Sequence, residues 1–119
     1  MKTPGADHPI TITPNPRRLR VLLGGEVVAE TTRSLTLREA SLPPVHYIPR
    51  EDAAMALFEP SARTTHCPYK GDASYFSLKA GGRRAADAVW SYEAPFPAVS
   101  AIAGHLAFYP DRVDAIEES

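Results

Sequence analysis

Arg18-Leu19-Arg20-Val21-Leu22-Leu23-Gly24-Gly25-Glu26-Val27-Val28-Ala29-Glu30 reads as a β-hairpin. In an extended chain successive side chains point to opposite faces, so Leu19, Val21 and Leu23 share one side. Gly24-Gly25 supplies a two-residue turn that tolerates positive φ, and Glu26 to Glu30 returns as the partner strand. Upstream, Ile10-Thr11-Ile12-Thr13 alternates apolar and polar residues. Downstream, Ser34-Leu35-Thr36-Leu37-Arg38-Glu39 does so again. Together these segments predict an antiparallel meander.

The same signals continue outward. After Leu42-Pro43-Pro44, Val45 to Ile48 forms a short strand, and Pro49 to Leu57 carries proline and acids ahead of helix formers, predicting one or two helical turns stopped by Pro60. Arg63 to Cys67 and Ser74 to Leu78 flank a turn at Pro68 to Asp72. Gly81-Gly82 leads into a strand over Asp87 to Tyr92, which Pro95-Phe96-Pro97 breaks. Ala98 to Ala103 reads as a short helix, and Leu106 to Tyr109 and Val113 to Ile116 as closing strands. The 12 prolines in 119 residues are roughly twice the usual share of about 5%, which favours short strands and tight connections over long helices. The expected architecture is mainly β: several short antiparallel sheets with one or two short helices. It forms one domain over residues 10–116, with residues 1–9 a disordered tail and 117–119 a second tail.

Composition narrows the function classes. Hydrophobic residues at 44% and charged residues at 23% fit a soluble globular domain. Thirteen basic against fourteen acidic residues give a net charge of −1, so no global field draws the chain to nucleic acid or to a membrane. Arg17, Arg18 and Arg20 form a local patch, read either as a charge-protected strand edge or as an edge offered to a partner protein. No apolar run approaches the ~20 residues of a membrane span, and Met1 to Pro9 has no signal-type apolar segment, so a cytoplasmic location is expected. A single cysteine permits neither an internal disulfide nor a multi-thiolate metal site. The expectation is a monomer or weak homo-oligomer without metal or cofactor.

The chemistry-bearing residues crowd two proline-ended turns, Val45-His46-Tyr47-Ile48-Pro49-Arg50-Glu51-Asp52 and Arg63-Thr64-Thr65-His66-Cys67-Pro68-Tyr69-Lys70-Gly71. Tyr47, Tyr75, Trp90, Tyr92 and Phe108 fall in expected strands, whereas Arg50 and Lys70 fall at strand ends. Aromatic walls with a few fixed cations suit a flat or anionic small molecule. The expected ligand-binding set is Tyr47, Arg50, Cys67, Lys70, Tyr75, Trp90 and Tyr92, supported by Glu39, Asp52 and His66. On this reading Arg50 and Lys70 overlook one hollow, and replacing either by alanine removes binding with little change in melting temperature. The alternative is that the rings are core and Arg50 pairs with Glu39 or Asp52. Trp90 and Tyr92 share a strand face, so they line the hollow together or fill the core together.

Cys67 is the candidate nucleophile of a thiol-dependent enzyme, activated if Arg63 and Lys70 converge on it. In an extended strand, however, His66 points away from Cys67, so a base has to come from His46 or His105. The alternative is a buried, inert cysteine that behaves as a small hydrophobe. A mononuclear metal site from His46, His66 and Glu39 has no supporting spacing. Phosphoryl transfer is poorly supported. The chain has no Asp-x-Asp pair on a strand and no glycine-rich phosphate loop, Asp111 and Asp114 read as turn residues, and Lys70-Gly71 alone is unspecific.

Glu39, Pro44 to Asp52, Thr64-Thr65-His66-Cys67-Pro68-Tyr69-Lys70-Gly71, Tyr75, Ala88-Val89-Trp90-Ser91-Tyr92 and Ala107-Phe108-Tyr109 together resemble the domain-of-unknown-function family numbered 427, sometimes labelled nucleotidyltransferase-like. The resemblance covers about residues 10 to 116. It implies coiled antiparallel sheets similar to the β-tent of B-type methionine sulfoxide reductases and of the drug-binding domain of cereblon, and no established activity. β-tent proteins often hold zinc between two Cys-x-x-Cys pairs. With Cys67 alone, this chain cannot build that site, and it lacks the resolving cysteine of sulfoxide reduction.

Overall fold

Alternating polarity becomes strand almost everywhere in the computed structural model, which describes residues 1–119. Ten strands form: β1 (Ile10–Asn15), β2 (Leu19–Leu23), β3 (Glu26–Thr31), β4 (Ser34–Glu39), β5 (Val45–Tyr47), β6 (Phe58–Cys67), β7 (Gly71–Ala80), β8 (Arg83–Ser91), β9 (Ala107–Phe108) and β10 (Ala115–Glu118). They make three antiparallel sheets, ordered β1-β4-β5, β10-β2-β3 and β6-β7-β8-β9. The helical segments are short 3-10 turns at Arg50–Asp52, Met55–Leu57, Pro97–Ile102 and Pro110–Arg112. Pro97 and Pro110 open two of them, where a missing N–H costs nothing.

The Gly24-Gly25 hairpin joins β2 to β3 as expected, but the meander does not continue. β4 leaves β3 and pairs with β1 on one side and β5 on the other. Alternation fixes which residues share a face, and it is silent on which strand lies alongside. The arginine patch changes meaning too. β2 is the central strand of its sheet, and Arg18 and Arg20 meet Glu30 while Arg20 also meets Glu117. The chain around Arg17 to Arg20 is therefore not an open edge for a partner strand. Pro60 does not end a helix; it sits in β6 opposite Phe76, an outer strand where a lost donor is tolerated.

The ends of the chain are bound rather than free. Lys2 N–H donates to the Pro68 carbonyl at 2.7 Å, and the His8 ring stacks on Tyr69 at 3.9 Å. Glu117 and Glu118 belong to β10, and Ser119 N–H donates to the Arg18 carbonyl at 2.9 Å. The polar sequences of both ends carry no apolar alternation to reveal this.

Two apolar clusters result. The larger includes Val21, Leu23, Val28, Leu78, Val89, Leu106 and Phe108. The second gathers Leu37, Tyr47, Ala73, Tyr75, Tyr92, Val99, Ile102 and Ala107. The turns of the two glycine hairpins meet: a Cβ on Gly81 would lie 1.8 Å from the Gly24 carbonyl oxygen, and both residues have positive φ. Only glycine fits that contact.

Candidate functional site

The inward face of sheet β1-β4-β5 and the sheet carrying β7 and β8 enclose a cleft of about 220 Å³ beside the second cluster. Leu35 pairs with Tyr47, and Leu37 with Val45, so Leu37, Val45 and Tyr47 reach it from one side. Tyr75 pairs with Trp90, so these two rings reach it from the other. Tyr92 and Tyr109 complete the aromatic wall, with Leu42 and Pro43 at the mouth. Trp90 Nε1–H donates to the Tyr47 hydroxyl at 3.3 Å with the rings edge-on, and Trp90 lies 4.5 Å from the Tyr109 ring. Tyr75 shares hydrogen bonds with Tyr109 at 3.2 Å and Thr65 at 2.9 Å, under the Arg63 guanidinium.

The polar end of the cleft is an ion pair. Lys70 Nζ donates to Glu39 Oε1, and both side chains are buried. The other oxygen, Oε2, bonds His8 Nε2 at 2.7 Å. Gly71 turns the chain immediately after Lys70 with φ of +112°, and the Lys70 carbonyl accepts from Phe96 N–H at 2.9 Å. Burial pushes the Glu39 carboxyl up, but hydrogen bonds and charge from Lys70 and His8 outweigh it, leaving Glu39 below the usual carboxylate range. Burial raises the Tyr47 and Tyr92 phenols well above their ordinary value. Burial and the Tyr75 hydrogen bond lift Tyr109 to about 12. Burial also acts upward on Tyr75, but bonds to Thr65, Tyr109 and Arg63 bring it below the ordinary value.

Of the sequence-expected site, Tyr47, Lys70, Tyr75, Trp90, Tyr92 and Glu39 come together here. Cys67 packs against the same cluster without lining the cleft. Arg50 does not join them. It lies over the Phe76 ring and donates to the Gly104 carbonyl at 3.1 Å, to Ser91 and to Glu93, in a separate surface hollow with Glu51 and His105. Its partner is neither Glu39 nor Asp52; a 3-10 turn at Arg50–Asp52 aims it away from Lys70. Asp52 bonds Thr31 and Arg33, and exposed His66 bonds Asp72. The four histidines bond Glu39, Thr36, Asp72 and the Ala103 carbonyl through one ring nitrogen each, and none is hydrogen-bonded to Cys67. The three residues considered for a metal are likewise committed to separate partners.

The sequence reading missed His8, Leu37, Leu42, Pro43, Val45 and Tyr109. Tyr109 had a signal, since it closes the Leu106 to Tyr109 segment, but Phe108 was named in its place. A one-residue step reverses the face: Phe108 packs on Phe58 in the larger cluster, and Tyr109 turns to the cleft.

The fold and the cleft define a small all-β domain built around an aromatic hollow closed by a buried ion pair. The chain belongs to the family whose model, NTP_transf_9, is described as Domain of unknown function (DUF427), matched over residues 11–119. No curated protein matches it.

Proposed function

We propose that this domain binds a small, flat molecule in the aromatic cleft. The observation that carries the reading is the convergence of five aromatic side chains, Tyr47, Tyr75, Trp90, Tyr92 and Tyr109, around a hollow ending at Glu39 and Lys70. The rings supply contact area, and the phenols and ion pair supply directed donors and acceptors. Because Glu39 neutralises Lys70 and Arg50 lies elsewhere, the favoured ligand is neutral with a hydrogen-bonding edge rather than anionic. A cleft of about 220 Å³ is below the ~300 Å³ lower range of drug-sized sites, which suits a single ring or a group projecting past Leu42. The free thiol of Cys67 is in keeping with a cytosolic setting.

Trp90 is the only tryptophan, so its fluorescence reports occupancy. Benzamide and nicotinamide are expected to quench it, with affinities at least tenfold above benzoate, and Tyr109→Ala is expected to abolish the effect. Native mass spectrometry of protein from its expression host is expected to show a co-purified small molecule. Equal binding of benzoate, or quenching that survives in Tyr109→Ala, would remove the reading.

A further inference from the structure

Among the 13 lysines and arginines, Arg17 and Arg38 stand apart. Every other cationic side chain meets a carboxylate, a backbone carbonyl or an aromatic ring. Arg17 and Arg38 meet none, yet both line one concave surface of about 420 Å³ on the outward side of sheet β1-β4-β5. Thr13 pairs with Thr36, and Thr36 with His46, so these three side chains form one row across the sheet. Arg38 lies two residues further along β4 and projects from the same face. Thr36 Oγ1 and His46 Nδ1 share a hydrogen bond at 3.0 Å, which fixes the ring and leaves Nε2 for a ligand. The one carboxylate in this surface, Glu118, accepts from Asn15 Nδ2 at 2.9 Å.

His46 and Pro44 also line an adjoining apolar cavity of about 400 Å³, walled by Leu19, Val21, Ile48 and Phe108. Apart from Met1, the exposed large hydrophobic residues of the chain are Leu42 and Ile116, and both border this cavity. Its volume falls within the ~300–1,000 Å³ of small-molecule sites. A cationic surface carrying the Thr13 and Thr36 hydroxyls therefore abuts an apolar cavity across a shared histidine.

We propose that the two together bind an amphiphilic anion: a phosphate monoester with a hydrocarbon substituent. The phosphate lies among Arg17, Arg38 and His46, and the hydrocarbon passes Pro44 into the apolar cavity. Guanidinium forks match phosphate oxygens and remain charged at any working pH, while the open surface alone offers the anion little desolvated area. The apolar cavity supplies that area. The anion donors are separate from the aromatic cleft, because none of them lines it, whereas the apolar cavity shares Leu42, Pro43, Val45 and Trp90 with the cleft.

Octyl phosphate, octanol and inorganic phosphate are the probes, titrated into the full chain below the micellar range and followed by calorimetry and by the His46 ring resonances. Octyl phosphate is expected to bind at least tenfold tighter than either of the others and to shift His46. An Arg17→Ala/Arg38→Ala double variant, whose replaced side chains are exposed, is expected to melt like the parent. It should lose about tenfold or more in octyl phosphate affinity while keeping its affinity for octanol. Octyl phosphate binding no tighter than octanol, or no tighter than inorganic phosphate, overturns the proposal. So does an unchanged affinity in the double variant, or no binding of any probe.

Discussion

On β4, Leu35, Leu37 and Glu39 face inward to the second cluster and the aromatic cleft, whereas Thr36 and Arg38, their immediate neighbours, face outward. Inward, the only charge is a carboxylate with two partners, Lys70 and His8. Outward, a guanidinium has none. The difference follows from solvent. A buried charge left alone costs several kcal/mol, so the inward face tolerates ions only as bonded pairs. Thr36 is buried with its hydroxyl bonded to His46, but water solvates the exposed Arg38 and permits an unpaired cation there, which stays available to a ligand. One strand thus carries a closed polar site and an open one, separated by a single step in sequence.

The largest expected effect comes from breaking the inward pair. Lys70→Ala leaves the Glu39 carboxylate buried beside His8 alone and is expected to cost about 3–5 kcal/mol in urea denaturation at neutral pH. A Lys70→Met/Glu39→Leu double variant is expected to recover most of that loss. If Lys70→Ala melts like the parent, the inward face does not depend on pairing and the contrast fails. Arg50→Ala, which removes bonds to the Gly104 carbonyl, Ser91 and Glu93 at a partly exposed site, is expected to cost roughly 1–2 kcal/mol in the same assay. It should leave Trp90 quenching by benzamide intact, since Arg50 lies outside the cleft. Both results would reverse the sequence-based expectation that these two cations serve a ligand without holding the fold.

That reversal marks where the sequence stops being legible. Period-2 alternation in Ser34 to Glu39 and the glycine pair at 24 and 25 were readable, because each encodes a local backbone requirement. The aromatic wall was readable for Tyr75 and Trp90, since their strands and faces follow from alternation. The pairing of β4 with β1 and β5 was not, because it depends on contacts distant in sequence. Neither was the fate of Arg50: its direction is set by a 3-10 turn and its partners by Ser91, Glu93 and Gly104, more than forty residues away. His8 was invisible for the same reason, sitting 31 positions from Glu39 in a segment without strand or helix pattern.

Acid sharpens the comparison with a smaller effect. The folded Glu39 carboxyl titrates below its ordinary value of 4.5, so as pH falls the unfolded chain takes up this proton first. The stability Glu39 contributes is therefore fully present above about pH 4.5 and is lost as pH descends through the depressed folded value. Glu39→Gln is expected to flatten the stability-against-pH curve in that window, read by denaturation midpoints at successive pH values. An unaltered slope would place the acid sensitivity elsewhere, Asp52 being the other carboxylate held low, by Thr31 and Arg33.

The smallest effect is expected from the other face of the same strand. Arg38→Ala removes a cation with no partner, so no buried group is stranded and no bond is lost. Its denaturation midpoint is expected to stay within about 0.5 kcal/mol of the parent, and its acid slope to match the parent's, because the Arg38 side chain projects from the face opposite Glu39, whose low value comes from Lys70 and His8. A loss nearer that of Lys70→Ala would mean that Arg38 holds the sheet together, and the outward face would then be structural, with no cation to spare for an anion.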